Sequence, residues 1–195
     1  MRIIDNLFDI QKLLQDESDF YNLKINLLGT PVSDRYPLVE IRINDRELWE
    51  NRVINDVITF QELQILDSAL KIEIVYKGKT DQDTVVNGET ILENQSLTIE
   101  SIEINDVKIQ KKDLMYMGVA CYELTESQKN SYAKIGASWI DVKTNVMYNN
   151  GTWKLEIKKP ILSNLIDQKQ ISNHIFEVSH YETLDRLQCS YLGQD

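Results

Sequence analysis

Alternation is the feature that most constrains this chain. Across residues 71–109, KIEIVYKGKTDQDTVVNGETILENQSLTIESIEINDVKI, apolar and polar residues exchange places on either side of an acidic loop. A period of two sends successive side chains to opposite faces, so each run buries one face and wets the other, as strands of an antiparallel sheet do. The pattern begins earlier. Leu23, Ile25 and Leu27 share a face, as do Leu38 or Val39 with Ile41 and Ile43. Residues 51–60 and 69–76 add two runs, and Leu97 to Ile104 and Val107 to Ile109 add two more. Asn44-Asp45 and Asn105-Asp106 punctuate them as turns. About seven short strands, with turns every eight to twelve residues or so, predict an all-β fold, a jelly-roll-like antiparallel β-sandwich.

A chain of 195 residues buries roughly 70% of its unfolded surface and needs no disulfide or metal to fold. Its net charge of −10 argues against nucleic acid and against an anionic membrane, because both ask for basic patches. That acidity suits cation binding or a basic partner. No apolar run is long enough to span a bilayer, and MRIIDNLFDIQKLL does not read as a secretory signal, having early acids and no small-residue cleavage site. Cys121 and Cys189 are expected as buried free thiols.

Three segments are expected: an N-terminal arm or helix over 1–18, the sandwich over 19–110, and an extension over 111–195 that completes the sandwich or forms a small lobe. In the arm, Ile3, Ile4, Leu7, Ile10, Leu13 and Leu14 fall at helical spacing over 3–15. In the extension, one or two helices are expected in the last third of the chain. Thr125 to Gln128 has capping-box form, Pro160 suits a helix start, and Ser179 to Glu182 precedes a terminal helix stopped by Gly193. Between them, Trp139 to Val142 and Trp153 to Ile157 predict a hairpin turning at Asn149-Asn150-Gly151.

The acidic loop is the foremost candidate site. Calcium takes several carboxylate and carbonyl oxygens at about 2.5 Å. Asp81 and Asp83 are spaced to turn inward together, and Asn87, Glu89 and Asn94 could add oxygens. The same residues also suit a solvated hairpin loop whose Asp and Asn side chains bond their own backbone. Of the aromatics, Trp139 and Trp153 are expected in the core, while Trp49, beside Glu47 and Glu50, is the candidate for stacking a sugar ring. His174 and His180, six apart, fit no simple ligand pair, and neither HExxH, GxSxG nor a phosphate-cradling glycine loop occurs. A non-enzymatic protein is expected.

INLLGTP (25–31), YPLVEIRIND (36–45) and the DTVV…LTIESIEIND block (83–106) resemble a calcium-dependent carbohydrate-binding module of the xylan-binding jelly-roll type. Similar segments occur in uncharacterised structural proteins of tailed bacteriophages, and NNGTWKLEIKKPIL (149–162) is similar to a segment of those proteins. The resemblance covers about half the chain. It implies a virion component, a neck, tail or baseplate accessory assembled in the host cytoplasm. Its partners would be other virion proteins, a homo-oligomer, or polysaccharide, with calcium as the ion. Asn87 and Asn94 stand where the phage-like pattern carries acids, which should weaken calcium binding, since ligand charge helps set affinity.

Overall fold

The computed structural model describes residues 19–123 and 139–168. The arm over 1–18, the helix expected after Thr125, the terminal helix, both histidines and Cys189 lie outside these residues.

Thirteen strands are described, and every pairing is antiparallel. Eleven of them make two stacked sheets. The first holds β1 (Phe20–Thr30), β4 (Asn55–Gln64), β8 (Ser96–Ile104), β9 (Val107–Gln110) and β12 (Val146–Met147), in the order β12-β8-β1-β4 with β9 also on β8. The second holds β2 (Leu38–Ile43), β3 (Arg46–Arg52), β5 (Ala69–Lys77), β10 (Val119–Glu123), β11 (Trp139–Lys143) and β13 (Gly151–Lys158), in the order β11-β10-β13-β5-β2-β3. The chain passes repeatedly from one sheet to the other, so the expected antiparallel sandwich is the fold.

Alternation does what it predicts. Leu23, Ile25, Leu27, Leu97, Ile99, Ile102 and Ile104 face Val39, Ile41, Ile43, Ile72, Ile74, Tyr76, Trp153, Leu155 and Ile157 across one core. Each large aliphatic side chain moved out of water contributes roughly 1.5–3 kcal/mol. Trp153 is wholly buried, as expected, and its indole N–H donates to the Thr144 carbonyl at 2.7 Å. A helix, α1 (Lys111–Met117), follows β9 and buries Leu114 against the sandwich, and residues 161–168 are helical after Pro160.

Turn chemistry sets the hairpin registers. Asn44 and Asp45 have φ of 47° and 63°, and Asn105 and Asp106 have 44° and 67°. Such a pair of left-handed residues makes the type I′ turn whose twist matches two antiparallel strands. One expected hairpin is absent. β11 pairs with β10, while β13 lies between β10 and β5, and the chain from β11 to β13 crosses to the other sheet through β12. Asn149, Asn150 and Gly151 carry no positive φ, and Gly151 is the first residue of β13 rather than the tip of a turn.

Candidate functional site

Between β5 and β8 the chain leaves the sandwich. Gly78, at φ 76°, turns the backbone outward, and Asp81–Asp83 forms one turn of 3-10 helix. Two strands, β6 (Thr84–Asn87) and β7 (Thr90–Asn94), then form a sheet of their own. What reads as an acidic loop is thus a hairpin ribbon. The signal was present, since Asn87-Gly88 sits between Thr-Val-Val and Thr-Ile-Leu, and Gly88 supplies the positive φ of 62° at the turn.

A lone two-stranded ribbon is marginal in water, so its base has to be held. Asp83 holds it from within. This carboxylate is 4% exposed. Its Oδ2 accepts from the Thr80 backbone N–H at 2.8 Å and from the Thr80 hydroxyl at 2.9 Å. Its Oδ1 lies 3.1 Å from Arg35 Nε and 3.4 Å from the Gln95 amide nitrogen. Gln95 also donates to the Arg35 carbonyl at 2.5 Å and accepts from the Tyr76 hydroxyl at 2.7 Å. Arg35 reaches the Gln82 side-chain oxygen at 2.8 Å and the Gln82 carbonyl. Burial would raise the Asp83 pKa, but the two Thr80 donors and the charges of Arg35 and Lys79 outweigh it and hold it below the ordinary value. Burial, aided by the Asp83 charge, pushes the Tyr76 hydroxyl well up, so it stays a neutral donor.

A second clasp is Lys79. Its ammonium donates to the Gln95 carbonyl at 2.9 Å, to the Tyr148 carbonyl at 2.5 Å and to Asn94 Oδ1. Its backbone exchanges two bonds with the Asn150 side chain, at 2.8 and 2.9 Å. Asn94 Oδ1 also accepts the Thr84 hydroxyl at 2.9 Å. No local pattern in the sequence points to Lys79 or Arg35.

The candidate ligands are therefore placed as follows. Asp81 is exposed on the 3-10 turn and Asp83 is buried beneath it. Asn87 and Glu89 ride at the tip of the ribbon, about 10 Å from its base at roughly 3.3 Å per residue. They cannot join Asp83 around one ion. Asn94 is at the base, with its oxygen already on Lys79 and Thr84.

The ribbon itself is apolar where it meets water. Val86 and Ile91 form a cross-strand pair, each 59% exposed, and Leu92, at a bulge beside them, is 60% exposed. Acids surround them. Asp81, Glu89 and Glu93 are exposed, and no Lys or Arg occurs from residue 80 to residue 107.

Two features lie elsewhere. Glu40, Glu47 and Glu50 bring carboxylate oxygens within 4.8 Å of one another near the β3 edge. That group is already partly neutralised: Glu40 is 3% exposed and accepts from Arg42 and, at 2.6 Å, from Lys77, which also reaches Glu50. The Lys77 bond lowers the Glu40 pKa more than burial raises it, and Arg42 adds to the effect. Trp49 stands on edge strand β3, opposite Ile41, half-buried against the core. One part of its ring is thus open and another is covered. No described helix is long and apolar enough to cross a membrane.

No protein-family model matches the chain, and no curated protein matches it either. Two solved structures are similar to it. One is the selenomethionine form of vCBM60, from work on two families of calcium-dependent carbohydrate-binding modules, with TM-score 0.43 and 6% identity over 69% of this chain and 89% of that one. The other is vCBM60 in complex with galactobiose, with TM-score 0.41 and 7% identity over 69% of this chain and 96% of that one.

Proposed function

We propose that this chain is a non-enzymatic binding and assembly protein that docks through the β6–β7 ribbon. The setting is the one implied by its phage-like segments, an accessory component of a tailed-phage neck, tail or baseplate, put together in the host cytoplasm. The observation that supports it is the ribbon: three large apolar side chains about 60% exposed on an element that leaves the sandwich. Apolar groups clustered on a protruding element are covered when a partner is present. An edge of paired strands also offers unpaired backbone groups to an incoming strand. The ring of acids selects the partner. A second copy of the ribbon would set like charges against each other, so the favoured partner is a different virion protein with Lys or Arg around an apolar strand or groove.

The test uses particles of the phage that encodes the chain. Mass spectrometry and electron microscopy should find the protein in purified virions, and a Val86→Asp, Ile91→Asp double variant should fold yet fail to incorporate. Virions that lack the protein, or that take up the double variant at wild-type level, refute the proposal. Self-association by light scattering that the double variant abolishes would replace the foreign partner with a second copy.

A second reading, a glycan-binding module, draws on Trp49, whose half-open ring on an edge strand could stack on a sugar. It predicts retardation in polysaccharide affinity gels that is lost in Trp49→Ala. Were calcium at Asp81 and Asp83 part of it, EDTA would also abolish retardation. Galactobiose is a suitable first probe, and no retardation on any polysaccharide rejects this reading.

A further inference from the structure

Lys79 sits where its surroundings would suit a free cation. Three oxygens from three places in the chain, Asn94 Oδ1, the Gln95 carbonyl and the Tyr148 carbonyl, converge on one ammonium nitrogen. Two of these contacts measure 2.5 and 2.9 Å, and the buried Asp83 carboxylate adds its charge to the same neighbourhood. A hard cation seeks such a group: carbonyl and amide oxygens with a carboxylate nearby. Here the positive charge arrives on a four-carbon stem. We propose that the base of the ribbon is a cation site whose resident occupant is the chain's own Lys79 ammonium, so that the ribbon is locked to the sandwich without a metal ion. Once the side chain is removed, the site takes a free primary ammonium ion.

First, the number of acceptors fits. A neutral amine has two N–H donors and a protonated one has three, and three oxygens are in place. Burial favours the neutral amine and the Asp83 charge opposes it; three acceptors at once need the charged form. Second, the oxygens belong to different parts of the fold. Asn94 and Gln95 close the ribbon, whereas Tyr148 lies in the connection between β12 and β13. The ammonium ties the two together, and the Asn150 bonds to the Lys79 backbone repeat the tie. Third, the Asp83 carboxylate beside this site is itself met by a side chain, since Arg35 stands 3.1 Å from it. Lys79 and Arg35, both supplied by the chain, thus bring positive charge to the Asp83 neighbourhood.

The experiment is thermal melting of wild type, Lys79→Ala and Lys79→Met at matched ionic strength in sodium, methylammonium, tetramethylammonium or calcium chloride. Lys79→Ala should melt roughly 4–8 °C lower than wild type in sodium, the loss expected for a part-buried charged donor in a chain of this size. Methylammonium should recover part of that loss in a saturable way. Tetramethylammonium, which has the charge but no N–H, should not. Lys79→Met fills the space with an apolar group and should stay low in every salt. The proposal is overturned if Lys79→Ala melts with wild type, or if no salt recovers it. It is equally overturned if tetramethylammonium works as well as methylammonium, or if calcium alone recovers it. A second measurement needs no variant: in wild type at neutral pH the Lys79 ammonium should give a persistent side-chain N–H cross-peak with slowed hydrogen exchange, and a freely exchanging ammonium there overturns the proposal even should Lys79→Ala fail to fold. None of these outcomes depends on docking by the ribbon, so the two proposals stand or fall separately.

Discussion

Asp83→Asn isolates the carboxylate that anchors the ribbon without changing its size. The aspartate accepts two Thr80 bonds on one oxygen, at 2.8 and 2.9 Å, and faces Arg35 and Gln95 on the other, at 3.1 and 3.4 Å. Asparagine has one oxygen and one NH2 group. Whichever way it turns, a donor meets a donor, either at Thr80 or at Arg35 and Gln95. Each bond to a charged group is worth about 1.5–3 kcal/mol. The Arg35 side chain is 39% exposed, so its share is screened toward the small values of surface pairs. Together these put the loss at about 2 kcal/mol at neutral pH, or roughly 4–8 °C in Tm for a chain this long. The pH dependence follows from the direction of the shift. The folded pKa lies below the ordinary 3.8, so the stabilisation is fully present above the unfolded value and disappears as pH falls through the folded one. The gap between the two proteins should be constant from neutral pH to about pH 5 and should close on further acidification. Glu40, also depressed, titrates in both proteins and cancels in the difference. Urea unfolding followed by tryptophan fluorescence, at a series of pH values, reads this directly. A gap that is absent at pH 7, or that persists undiminished through the acid range, refutes the assignment of Asp83 as the charged anchor.

Three other outcomes are expected. Gly118→Ala should cost about 2–3 kcal/mol in urea unfolding, because its new Cβ would stand 1.9 Å from Cζ2 of Trp153, a fully buried ring with nowhere to move; a variant as stable as wild type would show that the ring can shift. Val86→Lys with Ile91→Lys should change stability by no more than about 0.5 kcal/mol, since both side chains are 59% exposed, and a larger loss would mean that they pack on something. Cys121, whose thiol is pushed up to about 11 by burial and by Asp141, should react with iodoacetamide roughly a hundredfold slower at pH 8 than an ordinary exposed thiol, because only the thiolate attacks; an ordinary rate would place it in open solvent.

The sandwich was legible because burial of one face leaves a local trace. Ile25, Ile41, Ile74 and Ile102 all fall on alternation, and all are fully buried. Asn44-Asp45 and Asn105-Asp106 were legible for a related reason: short side chains tolerate left-handed φ at both central positions, which leaves few choices for the turn. Asn149-Asn150-Gly151 misled because it signals a permitted conformation, whereas strand pairing is decided by neighbours. β10 is inserted between the two runs that looked like a hairpin, and what joins those runs is a crossing to the other sheet.

The anchor of the ribbon is a different kind of information. Spacing singled out Asp83 as a carboxylate with work to do beside the loop, yet its charged neighbour Arg35 is 48 residues earlier in the chain. The oxygens around Lys79 come from 15, 16 and 69 residues away. No window of sequence contains both members of any of these pairs except the Asn94 and Gln95 side of the cage, and there a lysine before an acidic hairpin looks like any solvated charge. Only closure of the sandwich brings Tyr148 and Arg35 to the same end as the ribbon. The charge balance of that end is thus a product of topology. A residue-by-residue count of acids sees an excess of negative charge at the loop and looks for an ion outside the chain; the folded protein brings two of its own cations to the same place.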